Sequence, residues 1–364
     1  MKRSLNILIA AGGTGGHLFP AIAVLKELES IFEGKINAEF IGTANRMESE
    51  IVPNMGYTFN SVPIVGYYGL GSIKTYLLPF KILQSIYICK KIIRRFKPDL
   101  VLCTGAYISY PAGIAAAKEK IPLFLMESNI NPGKAIKALS KHATKILASF
   151  ENTNNYFDDI IKKKIIITGN PVRNELSQLP DKDIALKYYD FENSKKTIFV
   201  FGGSLGAKTI NIAIEKMIQN KELDNFQVIW QTGKNYVINI KINDNIKVLK
   251  FIDNMSMAYA AADLVVSRSG ATTIAELAIT GKPSILIPLS TASNNEQMLN
   301  ALEFVKIGAS NLIENKNVEF ELSEKFLNLI SDDVALNKMS EKAKTFAKPN
   351  AAIDAVRIIL ESIS

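Results

Sequence analysis

Short runs of apolar, mostly β-branched residues alternate with segments of helical periodicity along almost the whole chain. Such runs predict strands that are buried on both faces, and their alternation with helices predicts parallel sheets. In the first half of the chain we predict strands at 5–10, 37–41, 99–103, 122–126, 145–148 and 165–168. In the second half we predict strands at 197–201, 226–231, 246–250, 263–267 and 284–288. The pattern therefore predicts an α/β fold with doubly wound parallel sheets.

The two sets of strands are separated by residues 169–196, a polar stretch with Pro171 and Pro180 that we interpret as a linker. Each set opens with the same unit, since NILIAAGGTGGHLFPAIAVLKEL and TIFVFGGSLGAKTINIAIEKMI both predict a strand, a glycine loop and an amphipathic helix. A chain of 364 residues is also longer than one core usually fills. We expect two domains, with ligands at the carboxyl edges of the strands and in a cleft between the domains.

Charge is distributed unevenly between the halves. Residues 1–170 hold 21 Lys and Arg against 12 Asp and Glu, whereas residues 171–364 hold 22 against 23. A basic half is typical of a protein that meets nucleic acid, an anionic lipid surface or a phosphorylated substrate. No nucleic-acid-reading motif accompanies the charge, so nucleic acid is the weaker alternative.

The N-terminal segment and the cysteines indicate where the protein works. The first apolar run leads directly into a glycine loop without a cleavage site, which favours a strand over a signal peptide. No stretch has the apolar length of a membrane span. Cys89 and Cys103 lack the spacing of a disulfide framework or a metal site, which indicates a reducing cytoplasm.

The glycine loops are candidate phosphate sites, because glycines let backbone N–H groups approach an anion and the following helix adds its dipole. The first loop has Leu18 where a dinucleotide fingerprint has its third glycine, and no acidic residue follows the second strand. The second loop lacks Walker A spacing before Lys208. Two such loops in corresponding positions favour anion binding over simple tight turns.

Several side chains near these loops offer chemistry. His17 can act as a general base, since an imidazole has a pKa near ~6.5, or it can only hydrogen-bond backbone or phosphate. Glu276 can accept two adjacent sugar hydroxyls beside a backbone nest at 269–271, or it can be an ordinary first-turn glutamate. Arg173 can clamp a diphosphate or form a linker salt bridge. We interpret His142 as solvated, and no cluster has metal-ligand spacing.

Ten motifs follow one another along nearly the whole chain: GGTGGHLFPA, RMESEIVP, GAYISYPA, ESNINPG, GNPVR, GGSLGA, QTG, FIDNM, SRSGATTIAEL and EQMLNA. In this order they resemble the MurG family of bacterial glycosyltransferases. The family's peripheral enzymes, on the cytoplasmic face of the inner membrane, transfer N-acetylglucosamine from UDP-N-acetylglucosamine to undecaprenyl-linked lipid I, which gives lipid II for peptidoglycan. The resemblance implies a GT-B fold of two Rossmann-like domains. The acceptor domain would be 1–170 with the last helix, 350–364, and the donor domain 171–349.

The resemblance also implies roles for residues at the family's motif positions. The implied catalytic residues are His17 and Asn129. The implied acceptor-binding residues are Gly13, Thr14, Gly15, Gly16, His17 and Tyr107. The implied donor-binding residues are Thr14, Gly15, Gly16, Asn129, Arg173, Ser204, Ile252, Ala271, Thr272, Glu276, Gln297 and Asn300. Of these, Arg173 and Ser204 would contact the diphosphate, Ile252 the uracil through its backbone, and Glu276 the ribose.

The remaining contacts and partners follow from the same resemblance. The N–H groups of Ala271 and Thr272 would face phosphate, and Gln297 and Asn300 would hold sugar hydroxyls. No cofactor and no obligatory metal are expected. The expected partners are UDP-N-acetylglucosamine, lipid I, an anionic membrane surface and other wall-synthesis proteins.

The chain departs from the family pattern at several positions. Ala106 stands for the second glycine of GGY, Ile136 for an asparagine, and Leu205 for the glutamine of GGSQGA. Glu296 precedes Gln297 where the family has a His-Gln or Gln-Gln pair. Leucine or isoleucine cannot keep a polar contact made by the side chain it replaces, so details of acceptor and donor-sugar binding are expected to differ.

Residues 64–97 mix aromatic and leucine side chains with basic ones. The basic residues are Lys74, Lys81, Lys90, Lys91, Arg94 and Arg95. Such a segment can lie on an anionic leaflet, at about 1 kcal/mol per basic residue, or can be a core helix with a solvated basic end. We favour the core helix for 82–93 and the membrane surface for 67–80. The alternative functions are another GT-B enzyme, such as a lipid glucosyltransferase or a UDP-N-acetylglucosamine 2-epimerase, and a nucleotide-sugar-binding membrane scaffold.

Overall fold

The computed structural model describes residues 4–64, 78–292 and 295–363. The chain divides into two compact units, one of Met1–Val172 with Asn350–Ser364 and one of Arg173–Pro349. The division predicted from the sequence was after residue 170 and at residue 350. Each unit is built on its own parallel sheet.

The sheet of the first unit contains seven described strands in the spatial order β3-β2-β1-β4-β5-β6-β7. Its strands are β1 (Ser4–Ala10), β2 (Lys35–Gly42), β3 (Thr58–Ser61), β4 (Leu100–Cys103), β5 (Leu123–Glu127), β6 (Lys145–Ala148) and β7 (Ile165–Ile167). Strand order reverses between β1 and β4, where Ala10 pairs with Cys103. The carboxyl ends of these strands therefore meet at the switch point, which is the usual ligand position of an open α/β sheet.

The sheet of the second unit contains six described strands in the order β10-β9-β8-β11-β12-β13. Its strands are β8 (Thr197–Phe201), β9 (Gln227–Gln231), β10 (Ile246–Leu249), β11 (Leu264–Ser267), β12 (Ser284–Leu286) and β13 (Ser310–Leu312). Here the order reverses between β8 and β11, where Phe201 pairs with Ser267. Both units thus place a switch point after their first strand, and the predicted doubly wound parallel sheets are confirmed.

Helices cover both faces of each sheet. In the first unit they are α1 (Gly15–Ile31), α2 (Glu48–Asn54), α3 (Leu78–Phe96), α4 (Ser109–Lys118), α5 (Lys134–Leu139), α6 (Asp159–Lys162) and, at the C-terminus, α14 (Ala351–Ile363). In the second unit they are α7 (Lys182–Tyr188), α8 (Lys208–Gln219), α9 (Met255–Ala261), α10 (Ala271–Thr280), α11 (Glu296–Lys306), α12 (Val318–Ile330) and α13 (Asp333–Phe346).

Alternation along β1 supplies two separate apolar cores in the first unit. Leu8 and Ala10 belong to the core under α3 and α4. Ile7 and Ile9 belong to the core under α1 and α14. Successive strand residues point to opposite faces, so a strand that is apolar at every position must be covered on both sides. This burial holds the carboxyl end of β1, and the loop that follows it, in a fixed position.

Three sequence interpretations need correction. The predicted linker 169–196 is wrong for most of its length, since residues from Arg173 onward belong to the second unit and include α7, whose N-terminus the Asp181 side chain caps. Strands β3 and β13 were not predicted from the sequence. Both are edge strands of three or four residues with the sequences TFNS and SNL, so they lack the apolar run that identifies a buried strand.

The segment 64–97 is only partly described. The interpretation of 82–93 as a core helix is confirmed for one side of α3, which buries Ile86, Cys89, Ile92 and Ile93, whereas Leu83 and Tyr87 are exposed. Residues 65–77, which include Lys74 and most of the membrane candidate, lie outside the described residues. Within the part of the chain that is described, no helix is both long and apolar enough to cross a membrane.

Candidate active site

The first glycine loop turns from β1 into α1 at the switch point. Gly13 lies at φ +84°, a left-handed conformation that favours glycine. Thr14 is the N-cap of α1, and its carbonyl accepts hydrogen bonds from the backbone of His17 and Leu18, both at 3.2 Å. The structure therefore brings the predicted residues from Gly13 to His17 into one loop and first helical turn, where helix N–H groups lack intrahelical acceptors.

A buried carboxylate, which the sequence analysis did not single out, braces this loop. Glu48 is fully buried, and its Oε2 accepts the Gly13 N–H at 3.1 Å. Its Oε1 accepts hydrogen bonds from the Thr43 N–H at 3.1 Å and the Thr43 hydroxyl at 2.7 Å. A Cβ at Gly12 would lie 2.4 Å from Glu48 Oε1, so bare backbone is required there. Gly13 is one of the implied acceptor-binding residues, and its N–H is already engaged by Glu48.

The His17 ring is fixed by the loop after β4. Its Nδ1 lies 2.8 Å from the Thr104 carbonyl oxygen, and the Thr104 hydroxyl donates to the His17 carbonyl at 2.8 Å. A carbonyl oxygen only accepts, so in the neutral ring Nδ1 carries the proton and Nε2 is the basic nitrogen. A Cβ at Gly105, where φ is +100°, would lie 2.8 Å from the ring.

The protonation of His17 results from opposing influences. Burial lowers its pKa below the ordinary 6.5, while the Thr104 carbonyl and the negative charge of Glu48 act to raise it. Burial dominates, so the ring is neutral at neutral pH and Nε2 can accept a proton. The geometry supports the general-base interpretation of His17.

Asn129 lies at the same edge of the sheet, after the neighbouring strand β5. Glu127, the last residue of β5, accepts the Asn129 N–H at 2.8 Å and the Gly133 N–H at 2.8 Å. Asn129 is buried, and its carbonyl accepts the Thr153 hydroxyl at 3.2 Å. Tyr107 follows β4 and packs, half-buried, against the first unit's core.

The structure shows the environments of two departures from the family pattern in this unit, Ile136 and Ala106. Ile136 is fully buried in the apolar core, an environment suited to isoleucine. Ala106 lies at φ +54°, in the left-handed region that costs an L-residue energy and that glycine tolerates. The glycine of the family pattern is therefore the conformationally easier residue at 106.

The second glycine loop turns from β8 into α8 and is braced by backbone and amide groups. A Cβ at Gly206, where φ is +76°, would lie 2.1 Å from the Thr232 carbonyl oxygen. The Gln231 side chain donates to the Gly203 carbonyl at 2.9 Å and accepts the Ile252 N–H at 2.9 Å. One buried amide thus joins the loop that carries Ser204 to the predicted uracil contact. Because the Ile252 N–H is engaged, any backbone contact from Ile252 to a base would come from its carbonyl oxygen.

Leu205 and Ser204 differ in exposure within this loop. Leu205 is 77% exposed, whereas Ser204 is half-buried. The leucine therefore neither fills the core nor braces the loop. A hydrophobic side chain in this position gives the surface beside Ser204 an apolar character that glutamine would not give it.

Glu276 lies inside α10 and is paired in a buried cluster. It is 4% exposed, and its Oε2 accepts a hydrogen bond from the Tyr259 hydroxyl at 3.0 Å. Its Oε1 lies 4.0 Å from Arg173 Nε. Burial raises the pKa of Glu276, while the Arg173 charge and the Tyr259 hydrogen bond lower it. The alternative of an ordinary first-turn glutamate is wrong, since Glu276 is the sixth helical residue and is buried.

Arg173 faces two carboxylates of the second unit. Its Nη1 lies 4.0 Å from Glu175 Oε1, in addition to its approach to Glu276. Arg173 is about one-fifth exposed, so the guanidinium is partly accessible to a ligand. Arg173 and Glu276, two predicted donor contacts far apart in sequence, are thus brought together.

The remaining predicted donor residues surround the N-terminus of α10. Ala271 and Thr272 form its first turn after the N-cap Gly270. The Ser269 hydroxyl donates to the Gln297 carbonyl at 2.8 Å, and Gln297 Oε1 accepts the Leu289 N–H at 2.9 Å. A contact from Gln297 to a sugar hydroxyl would therefore come from its amide nitrogen.

Burial affects two residues of α11 that the resemblance placed at the donor-sugar site, Asn300 and Glu296. Asn300 is fully buried, so the structure does not present it at the surface of this unit. Burial also raises the pKa of Glu296, the residue that departs from the family pattern. In the described ranges, no group of three or more His, Cys, Asp or Glu side chains is arranged to hold a metal ion.

Family comparisons match both units. Residues 7–148 match the glycosyltransferase family 28 N-terminal domain, and residues 197–354 match the glycosyltransferase family 28 C-terminal domain. This chain belongs to glycosyltransferase family 28. It carries both domains of the family, and it is a glycosyltransferase with the GT-B fold.

Individual relatives of the family are similar over the whole length. A protein of Flavobacterium psychrophilum is 38% identical, and the match covers 98% of each chain. A protein of Christiangramia forsetii is 37% identical, covering 98% of this chain and 97% of that protein. Both are named UDP-N-acetylglucosamine--N-acetylmuramyl-(pentapeptide) pyrophosphoryl-undecaprenol N-acetylglucosamine transferase. The crystal structure of Acinetobacter baumannii MurG is 27% identical, with a TM-score of 0.74, covering 98% of this chain and 99% of that one. The predicted family and fold are confirmed.

The side chains that hold the predicted site residues were not singled out from the sequence. They are Glu48, Glu127, Gln231 and Tyr259. A signal exists for Glu127 and Gln231, because each is a polar residue that ends an otherwise apolar strand and so lies at the ligand edge of a parallel sheet. Glu48 lies in the RMESEIVP motif, but no local pattern marks it or Tyr259 as a brace, because the residues they hold are distant in sequence.

Proposed function

We propose that this chain is an inverting glycosyltransferase that converts lipid I to lipid II. It moves N-acetylglucosamine from UDP-N-acetylglucosamine to the C4 hydroxyl of undecaprenyl-pyrophosphoryl-N-acetylmuramyl-pentapeptide. The observation that carries the proposal is full-length similarity, at 37–38% identity, to proteins named for this transfer. The geometry of each unit supports a division of roles between the two.

The first unit supplies the base. His17 Nε2 accepts the proton of the acceptor C4 hydroxyl, and the oxygen forms a bond to the anomeric carbon of the donor sugar. The bond from that carbon to the β-phosphate oxygen breaks in the same step, and its electron pair leaves with UDP. A single displacement inverts the anomeric centre, which gives the β-1,4 linkage. The proton remains on the imidazole, whose positive charge Glu48 stabilises.

The second unit stabilises the departing diphosphate. Arg173 supplies a guanidinium, and the first turn of α10 and the loop at Ser204 supply backbone N–H groups. Glu276 accepts the ribose hydroxyls of the donor. The proposal assigns no step to a metal ion, so we expect transfer to continue in the presence of EDTA.

We further propose that α3 lies on an anionic membrane surface beside the lipid acceptor. Phe80, Leu83 and Tyr87 are 72%, 65% and 59% exposed, and their spacing places them on one side of the helix. Lys91 Nζ lies 4.7 Å from the centre of the Tyr87 ring. Such a face, apolar with basic residues beside it, suits the cytoplasmic side of the plasma membrane.

Part of the basic charge on α3 is already paired. Arg94 and Lys90 each approach Glu119 at 3.1 Å, and Arg95 pairs with Glu39. Membrane attraction therefore depends on the apolar face more than a count of basic residues indicates. Replacing Phe80 and Leu83 by Ser should reduce co-sedimentation with phosphatidylglycerol vesicles. The matched control is Phe320→Ser with Val334→Ser in the second unit. These two apolar residues are 79% and 78% exposed.

The assay that tests the transfer is UDP release from UDP-N-acetylglucosamine, with and without a lipid I analogue. Release that depends on the analogue supports the proposal. Release indifferent to the analogue indicates a different acceptor or an epimerase. Donor binding without any release indicates a scaffold, and both of these results contradict the proposal.

A further inference from the structure

We infer that Tyr259 is a positioning residue, whose hydroxyl fixes the Glu276 carboxylate in the orientation that receives the ribose of a uridine nucleotide. The inference rests on the proposed function, since it takes Glu276 as the ribose ligand.

Tyr259 is held rigidly beneath the site. It lies on α9 and is fully buried, with its ring at 84° to Phe199 and at 90° to Phe201. The ring centres are 5.4 and 6.2 Å apart, so the edge-to-face contacts of two strand residues fix the plane of the tyrosine. Its hydroxyl can therefore serve as a fixed reference point for a neighbour.

That neighbour is the Glu276 carboxylate. The Tyr259 hydroxyl lies 3.0 Å from Oε2, while Arg173 Nε lies 4.0 Å from Oε1. An ionised carboxylate oxygen has two acceptor positions, so Oε2 can hold the tyrosine and still accept a sugar hydroxyl. Burial raises the pKa of Tyr259, which keeps the phenol protonated and therefore a donor.

Removing the hydroxyl would change both the orientation and the charge of Glu276. The carboxylate would lose the one hydrogen bond that ties it to a rigid side chain, so its terminal torsion would be less restricted. The charged groups facing it are Arg173 and Glu175, and burial already raises its pKa. Loss of the Tyr259 donor raises this pKa further, which favours the neutral acid, a poorer acceptor for a diol.

The test compares two nucleotides, UDP and 2′-deoxy-UDP, by titration calorimetry with the full chain and Tyr259→Phe. We expect UDP affinity to fall by about tenfold to a hundredfold, as for loss of a hydrogen bond to a charged group. The affinity for 2′-deoxy-UDP should fall by less than about twofold, because that ligand lacks one of the hydroxyls that Glu276 receives. As the pH is lowered, UDP binding by the variant should begin to weaken at a higher pH than in the wild type, because Glu276 is protonated earlier.

The control is Tyr189→Phe, which removes the hydroxyl of another buried tyrosine of the same unit. It should change neither affinity. The double variant Tyr259→Phe, Glu276→Gln should bind UDP no more weakly than Glu276→Gln alone. Thermal unfolding of each variant establishes that it is folded.

Equal losses for both nucleotides in Tyr259→Phe, or additive losses in the double variant, would overturn the inference and make Tyr259 a packing residue only. Failure of the wild-type chain to bind UDP would instead contradict the proposed function. The two failures are therefore distinguishable.

Discussion

The two glycine loops share one architecture but are braced by different chemistry. Each leaves the first strand of its sheet at a switch point and enters a helix. The first is closed around the Glu48 carboxylate and ends at His17, whose ring lies against Gly105. The second is closed around backbone carbonyls and the neutral amide of Gln231.

The difference is consistent with the proposed roles, in which the first loop handles a proton and the second a leaving diphosphate. A buried carboxylate supports a histidine that becomes positively charged, but it opposes an additional anion at the same loop. A neutral amide has no such opposition. Under the proposed function, the same strand, loop and helix unit serves acid–base chemistry in the first unit and anion binding in the second.

The largest expected effect comes from removing the titrating group of the first loop. His17→Ala should lower kcat for UDP release by about 10²-fold to 10⁴-fold, because it removes the general base. UDP affinity should stay within about twofold, since the residues proposed to hold the uridine and the diphosphate belong to the second unit. Steady-state kinetics and calorimetry measure the two quantities. His142→Ala, which changes the exposed histidine, should match the wild type; loss of UDP affinity in His17→Ala would break the comparison.

A smaller effect is expected from the amide that braces the second loop. Gln231→Leu removes the hydrogen bonds to Gly203 and Ile252, which should raise KM for the donor about tenfold with little change in kcat. The exposed Gln219→Leu is the control. A change in kcat without a change in KM would show that Gln231 acts on the chemical step, contrary to the proposed division of roles.

The loop after β4, which holds the His17 ring and contains Ala106, can be tested through the stability of the protein. Ala106→Gly should raise the free energy of unfolding by about 1 kcal/mol, because the left-handed conformation costs an L-residue energy that glycine does not lose. Urea unfolding measures this change. Ala115→Gly, inside α4, should instead lower stability by about 1 kcal/mol. Destabilisation by both substitutions would mean that the conformation of Ala106 carries no strain.

The smallest effect is a shift in pH dependence. Glu48 raises the pKa of His17, so Glu48→Gln should lower that pKa. The base works in its neutral form, and the acid limb of kcat/KM should therefore move to lower pH. The exposed Glu50→Gln on α2 serves as the control. If the acid limb of a folded variant moves to higher pH or does not move, Glu48 does not support the protonated form of His17.

Sequence patterns predict the parts of this fold that depend on local burial. The strand at 145–148 and the strand at 197–201 have the predicted bounds, because uninterrupted apolar runs leave few alternatives. The edge strands β3 and β13 were missed, since half-exposed strands tolerate polar residues. The glycine loops and His17 could also be recognised, because they directly follow or adjoin such apolar runs in the sequence.

The braces of the site could not be predicted because they are not local. Glu48 reaches Gly13 across 35 positions, and Tyr259 reaches Glu276 across 17. Neither spacing has a periodicity, and each pair forms only when the fold has brought separate elements together. Sequence therefore identified candidate chemistry, and the fold was needed to find what orients it.

The return of the last helix to the first unit sets an order for biosynthesis. Ala355, Val356 and Ile359 of α14 complete the core that covers Leu18 and Leu25 of α1. A ribosome releases residues 173–349 before it releases α14, so the second unit has its whole sequence available first. The α1 face that adjoins the glycine loop stays uncovered until α14 has been synthesised. A nascent chain therefore has the whole sequence of the second unit available before it can complete the core beside His17.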